Sequence, residues 1–377
     1  MDGGGSAVSR TARLTGVVAP PRLDQAALQA AVDAFATYGT QAEAAASLGL
    51  VRCTFQGRYQ EAMRQGFTPR PADRPIQFDP VEIPSGERSV EQIVRAAIEK
   101  HDCVAQHQRA KRNVVIPIKC HGPIGIAFVP DRHMDSPGTH LGQVFDHAKL
   151  MAKTDGLFIN DLGDSIDNFI VGKLERARRD HAVTITEAWI LVEEYFRLVK
   201  DRLLAAISGN HLDWTTAMGG VDCLKKCLEK AGCHALYDAD ELMYRIKLPN
   251  GMIFPISLRH FFSGNSMWNA AHAVARYVQS AAYRDEIVVA AGHLHIAGYQ
   301  IVEAHGKVCH CIQTGSYKDR DLDPYCRQKA FMRQHAFKIP MVTFFPEDCQ
   351  GNKAGSSVFF PEIECGIPYL NWLRSKK

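Results

Sequence analysis

Four apolar runs in this 377-residue chain each end in side chains that could bind a metal ion or move a proton. The run 124–130 leads into Asp131 and His133, and 156–162 leads into Asp164, Asp167 and Asn168. The run 203–208 leads into Asn210 and His211, and 287–291 leads into His293 and His295, while His260 follows a fifth run, 252–258. In open α/β sheets ligands collect beyond the carboxyl ends of strands, so these ends can converge on one site. Asp and His two residues apart can face one side of an extended segment. Imidazole mixed with carboxylate and amide oxygen suits manganese, iron, zinc or nickel better than calcium or magnesium. A carboxylate can bridge two such cations, and a pair roughly 4 Å apart could clamp an attacking hydroxide and a phosphoryl oxygen.

These residues need elements to position them. Strand-like runs are expected at 114–118, 125–129, 157–159, 203–207, 244–248, 252–258, 286–291 and 299–303. Helical periods are expected at about 140–153, 186–200, 220–231 and 267–282. The turn Leu248-Pro249-Asn250-Gly251 signals a hairpin, and a second is expected around Gly306, joining 300–304 to 308–313. Ser89 followed by Gln92 has the form of a capping box, opening a helix that ends near Arg112. Strands alternating with helices predict an α/β fold, and the hairpins predict a mixed sheet.

The pieces Asp131-x-His133, Gly163-Asp164-x-x-Asp167-Asn168, Gly209-Asn210-His211, a separate His260 and Gly292-His293-x-His295 stand in a recognisable order. From about Asn113 to Tyr317 the chain resembles the calcineurin-like metallophosphoesterase superfamily. The resemblance implies a two-sheet α/β sandwich with a dinuclear site at its strand ends. It implies Asp131, His133 and His295 as ligands of one ion, Asn210, His260 and His293 as ligands of the other, and Asp164 as the bridge. His211 would be the acid at the leaving oxygen, with Asp167 hydrogen-bonded behind it. The implied cofactors are two divalent ions, manganese first, with iron, zinc or nickel also suited. The implied activity is phosphodiester hydrolysis by in-line attack of a metal-bridging hydroxide. The family usually places Asp or Glu directly after its Asn-His pair, whereas here Leu212 precedes Asp213, which is left without an assigned role. Arg132, between two ligands, and Arg259, before a third, could each contact a substrate phosphate or form a salt bridge.

The N-terminal part is of another kind. Residues 23–66 are Ala-rich, with Leu28, Val32 and Phe35 spaced along one helix face, and 40–59 resembles a helix-turn-helix. Its second helix would run from Gln41 to Leu48, Gly49 would make the turn, and 51–65 would be the recognition helix. Leu48, Leu50 and Phe55 would pack inward. Arg52, Thr54, Gln56 and Arg58 would face a DNA groove and its phosphates, and Arg64, Arg70 and Arg74 would extend the local basic stretch. The alternative is a three-helix module for protein contacts. With a DNA-binding module on the same chain, the leading expectation is a DNA nuclease. The alternatives are a phosphatase or cyclic-nucleotide phosphodiesterase, and a DNA-binding regulatory or assembly protein whose phosphoesterase fold is not catalytic.

Composition bounds these readings. A 46% hydrophobic and 23% charged chain can bury a core, which excludes wholesale disorder. With 44 Lys+Arg against 41 Asp+Glu the net charge is only +3, so any nucleic-acid argument must be local. The expected organisation is a tail over 1–22, the helical domain over 23–66, a Pro-rich linker over 67–90 and the phosphoesterase domain over 91–377. In that domain the motif core spans 113–317 and a C-terminal extension 318–377. There is no signal-peptide pattern and no membrane-length apolar run, so the expected location is cytoplasmic, with no membrane partner; oligomeric state is left open. The 11 cysteines then read as thiols. Cys223, Cys227, Cys233 and His234 are spaced unlike a zinc knuckle. Cys309 and Cys311 are expected in the core with His310 on the opposite, surface-facing side.

Overall fold

The computed structural model describes residues 23–71, 86–112, 114–170, 172–280, 282–319, 321–323, 339–345 and 356–376. The expected tail, residues 72–85 of the expected linker (Arg74 among them), and 324–338 and 346–355 of the C-terminal extension lie outside the described residues. The chain divides into two compact units, Met1–Arg88 and Ser89–Lys377.

The first unit holds α1 (Gln25–Tyr38), α2 (Gln41–Ser47) and α3 (Arg52–Arg64). Asp24 caps α1 and Thr40 caps α2, each side chain accepting a backbone N–H of the first turn. Gly49 closes α2 in the left-handed region, and the Leu50 N–H returns to the Ala45 carbonyl at 2.8 Å. Ala31, Ala34, Ala44, Ala45 and Phe55 form the core, with Leu48, Leu50 and Tyr59 against it. Small residues let the helices approach, and Phe55 fills the space between them. Residues 67–70, placed by sequence in the linker, dock on α1 instead. Phe67 packs on Leu28 and Val32, and Arg70 pairs with Asp33 at 2.8 Å.

The second unit begins with α4 (Val90–Lys111), capped by Ser89 and Gln92 in a reciprocal capping box. There follow β1 (Val114–Pro117), β2 (Ile124–Val129), α5 (Leu141–Lys153), β3 (Leu157–Asp161), a 3-10 helix (Gly172–Asp180), α6 (Ile185–Val199) and β4 (Leu203–Ile207). Next come α7 (Asn210–Gly219), α8 (Cys223–Ala231), β5 (Leu236–Asp238), β6 (Glu241–Lys247), β7 (Ile253–Arg259), α9 (His272–Val278) and β8 (Val288–Ala291). The last elements are β9 (Gly298–Ala304), β10 (Lys307–Gln313), β11 (Met341–Phe345), β12 (Ser356–Phe360) and α10 (Ile363–Ser375).

The fold is α/β, with two mixed six-stranded sheets ordered β1-β6-β7-β8-β10-β9 and β12-β11-β2-β3-β4-β5. Both expected hairpins are present as the antiparallel pairs β6/β7 and β9/β10. In the second sheet β2, β3, β4 and β5 run parallel, and β7, β8 and β10 run parallel in the first. β2 shows why its sequence is continuously apolar. Ile124, Ile126 and Phe128 face a core shared with Tyr244, Ile256, Leu258 and Val288 of the other sheet. Ala127 and Val129 face a second core with α5, α6 and α8. A third core lies between α9 and strands β8 to β10. The pattern therefore buries both faces of the central strands, and the predicted site residues fall beyond their ends.

Candidate metal centre

The strand ends do converge. Asp131 follows β2, Asp164 follows β3, Asn210 follows β4, His260 follows β7 and His293 follows β8. Parallel β2, β3 and β4 point their carboxyl ends the same way, as do β7 and β8. An isolated bridge between Asp131 and Ser316 links the end of β2 to the segment after β10.

Two donor groups form there. Asp131, His133 and His295 make the first, with ligand atoms all within 4.8 Å of one another. Nε2 of His133 faces Nε2 of His295 at 2.9 Å, and the latter lies 3.2 Å from Asp131 Oδ2. Asp164, His260 and His293 make the second. Asn210 joins it, its Oδ1 lying 3.1 Å from His260 Nε2 and 2.8 Å from His293 Nδ1. Asp164 reaches His260 Nε2 with Oδ2 at 3.0 Å. It is tied to the first group by its backbone carbonyl, which accepts the N–H groups of Arg132 and His133. The residues fit a pair of cations. Their donors are mixed nitrogen and oxygen, facing one another with few hydrogens to share, and Asp131 Oδ1 is buried with no hydrogen-bond partner.

Electrostatics agree. Burial pushes the His133 pKa down to about 4, against the pull of Asp167, so its imidazole is neutral and able to ligate. At His260 burial opposes the charged form, but Asp164 outweighs it and raises the pKa to about 10. Burial raises and the surrounding histidines lower the Asp164 pKa, with the net well down.

The backbone is strained where the ligands sit. Among the described residues six non-glycine residues have positive φ, and His133, Asp164, Asn168, His293 and His295 are five of them. The side chains of Asp131 and His133 therefore do not share a side through strand alternation, as the sequence suggested. Left-handed turns after the strands aim them. Two glycines make room, since a Cβ at Gly209 or Gly292 would collide with the carboxylate of Asp164 or Asp131.

The expected acid is differently supported from what the sequence suggested. His211 opens α7, and its Nδ1 lies 2.6 Å from the backbone carbonyl of Asp167, not its carboxylate. The Asp167 carboxylate instead lies 2.7 Å from Nδ1 of His133 and accepts from Lys318 at 2.8 Å. Asp167 thus braces the ring of His133. Lys318, Asp135, His181 and Asn168 surround these groups, and the motif reading gave them no role. His181 joins Asp135 to Asp167, and Asn168 donates to the His211 carbonyl at 2.6 Å. Asn168 was visible in its motif, but a lone lysine at 318 carries no sequence signal. Leu212, the departure from the family pattern, is buried in the helix-side core, and Asp213 lines a cleft of about 420 Å³ beside Asn210 and His260.

The two arginines separate. Arg132 is fully buried, held by Asp161 and Ser165 and stacked 4.1 Å from the Tyr195 ring, so it does not reach a phosphate. Arg259 pairs with Glu241 and lines the cleft. His310 also differs from expectation. It is buried between the sheets, bonded to the hydroxyls of Tyr299 and Ser357 at 2.6 Å each, because both faces of β10 are covered. Cys223, Cys227 and Cys233 are free and half-buried, and burial pushes the thiols of Cys227 and Cys233 up to about 11.

In the first unit Arg52, Thr54 and Gln56 are exposed on α3 and Arg58 is half-buried. Arg64 is paired with Glu61, and Arg70 with Asp33. Among the described residues no helix is long and apolar enough to cross a membrane. No protein-family model matches the chain, and no curated protein matches it.

Proposed function

We propose that the unit Ser89–Lys377 is a dinuclear-metal phosphodiesterase of the metallophosphoesterase type, acting as a nuclease. The observation that carries this is the meeting of two donor groups, from five strand ends, on strained backbone around a buried unpartnered carboxylate oxygen. Asp131, His133 and His295 would hold one divalent ion, and Asn210, His260 and His293 the other, with Asp164 between them. When bound, two such ions supply Lewis acidity to phosphoryl oxygens and lower the pKa of water toward neutrality. The chain's own part is positioning and proton transfer. Asp167 fixes the ring of His133. The Asp167 carbonyl takes Nδ1–H of His211, which leaves Nε2 on the site side, 3.9 Å from Asp164. In its protonated form that nitrogen can hand its proton to the departing oxygen. Trp214 and Phe169 pack the His211 ring at centroid distances of 4.5 and 5.7 Å and limit its rotation.

The first unit is proposed to hold duplex DNA through Arg52, Thr54, Gln56 and Arg58. The ion pairs of Arg64 and Arg70 favour a second reading, in which the three helices meet another protein. Hydrolysis of bis(p-nitrophenyl) phosphate and p-nitrophenyl phosphate with manganese tests the enzyme reading. The diester should show the higher kcat/KM. A monoester preference would overturn the nuclease assignment, and no turnover of either with manganese, iron, zinc or nickel would overturn the whole.

A further inference from the structure

The loop that leaves the ligand His260 is built unlike a covered surface loop. Phe261 is 44% exposed, with its ring 4.8 Å from that of the ligand His293. Met267 and Trp268 are 76% and 85% exposed. Yet the backbone beneath them is pinned. The Ser266 hydroxyl accepts the N–H groups of Trp268 and Asn269, and Asn269 donates to Gln300 at 2.8 Å. Gly298, three residues past the ligand His295, is so close to Ala270 and Ala271 that a Cβ there would collide with both. The loop thus starts at His260, carries Phe261 beside His293 and rests on the chain three residues beyond His295. Large apolar side chains on a fixed backbone at a polar site are preorganised to cover something flat and apolar.

We propose that Phe261 and Trp268 form a base-stacking lip and that the centre takes an unpaired nucleic-acid strand. The proposal rests on the phosphodiesterase reading and extends it to the substrate's form. With a phosphate held between the two donor groups, the nearest flat apolar groups on a nucleic-acid chain are the flanking bases. Every base has a π-face, so an aromatic lip accepts any sequence. In a duplex those faces are already stacked and their edges paired, so a base must be free of its partner to reach the lip. Sugar phosphates and simple alkyl esters offer no such ring.

The test uses the full chain carrying His211→Ala, to stop turnover, with manganese. All four tryptophans, Trp189, Trp214, Trp268 and Trp372, lie in the second unit, so their emission reports on that unit. The probes are single-stranded oligothymidylate, an abasic phosphodiester of equal length, and a blunt duplex. Oligothymidylate should bind at least about fivefold more tightly than the abasic chain and quench tryptophan emission. Phe261→Ala with Trp268→Ala should abolish both the difference and most of the quench, and Trp268→Tyr with Phe261 intact should restore the difference. Trp268 is too exposed for its replacement to open a cavity, and an unchanged melting temperature checks this. Equal affinity for base-bearing and abasic chains, or a difference that survives the double substitution, overturns the lip. Equal quenching by the blunt duplex overturns the single-strand assignment. Failure of the phosphodiesterase reading shows separately, as absent manganese-dependent diester hydrolysis by the unsubstituted protein, while the abasic comparison still decides the lip.

Discussion

Asp131, His133 and Asp164 are buried at strand ends and locked by neighbours, whereas Arg52, Thr54 and Gln56 stand exposed on the regular helix α3. The backbone repeats the contrast. In the first unit the described left-handed positions are Gly39, Gly49 and Gly66, the residue type that bears that conformation without strain. At the strand ends Gly163 and Gly209 are joined by five non-glycine residues, His133, Asp164, Asn168, His293 and His295. Each such residue costs on the order of 1–3 kcal/mol and persists only where its surroundings impose it. Here they do: Asp164 alone is held through its backbone carbonyl, its amide and its carboxylate. A group that must meet a cation at fixed distance is worth straining, whereas a group that must adapt to a large partner is better displayed from a relaxed scaffold.

Substitutions at the centre should therefore act on chemistry far more than on folding. Asp164→Asn should lower manganese-dependent diester turnover by more than about a hundredfold, beyond the loss typical of a residue that only hydrogen-bonds to a metal-binding side chain. Full activity in this variant would remove the strained centre from the reaction. Asp167→Asn should cost about 10–100-fold in metal affinity, read by competition with a chelator, because it frees the ring of His133. Were Asp167 instead the partner of His211, metal affinity would stay and only turnover would fall.

Much of this contrast was legible in the chain. The apolar runs marked the strands, Asn250-Gly251 and Gly306 marked the hairpins, and Ser89 with Gln92 marked the start of α4. The ordered motifs also marked which side chains meet. The route by which they meet was hidden, because a positive φ at a histidine is imposed by distant hydrogen bonds and not by local preference. Alternation placed His310 correctly opposite Cys309 and Cys311, but it could not tell that both faces of β10 are covered. Arg132 looked available between two ligands because its true partners, Asp161 and Ser165, come from around β3. The run 341–345 reads as apolar, yet nothing in the chain order says that it adds to β2.

On the relaxed side of the comparison effects should be smaller and dependent on salt. Arg52→Ala with Arg58→Ala should reduce the slope of log affinity against log salt for duplex DNA by about two, one for each phosphate left without its arginine. The melting temperature should be nearly unchanged, since Phe55 and the alanines carry that core. An unchanged slope, measured by anisotropy over a salt series, would favour the protein-binding reading of α3.

The smallest expected effect comes from a buried histidine outside both candidate sites. Burial lowers the His310 pKa to about 4, against about 6.5 when unfolded. The folded state therefore binds fewer protons there than the unfolded state. The stability this preserves is fully present above about pH 6.5 and is lost as pH falls through about 4. By pH 5 the loss should be about 1–2 kcal/mol, seen as a fall of a few degrees in melting temperature. His310→Gln can still bond Tyr299 and Ser357 but cannot titrate, so its melting temperature should fall less between pH 6.5 and 5. Parallel curves for the two proteins would place the acid sensitivity elsewhere, first at the His133 and Asp167 pair, and so return the two-sheet interface to the strain-free side of the comparison.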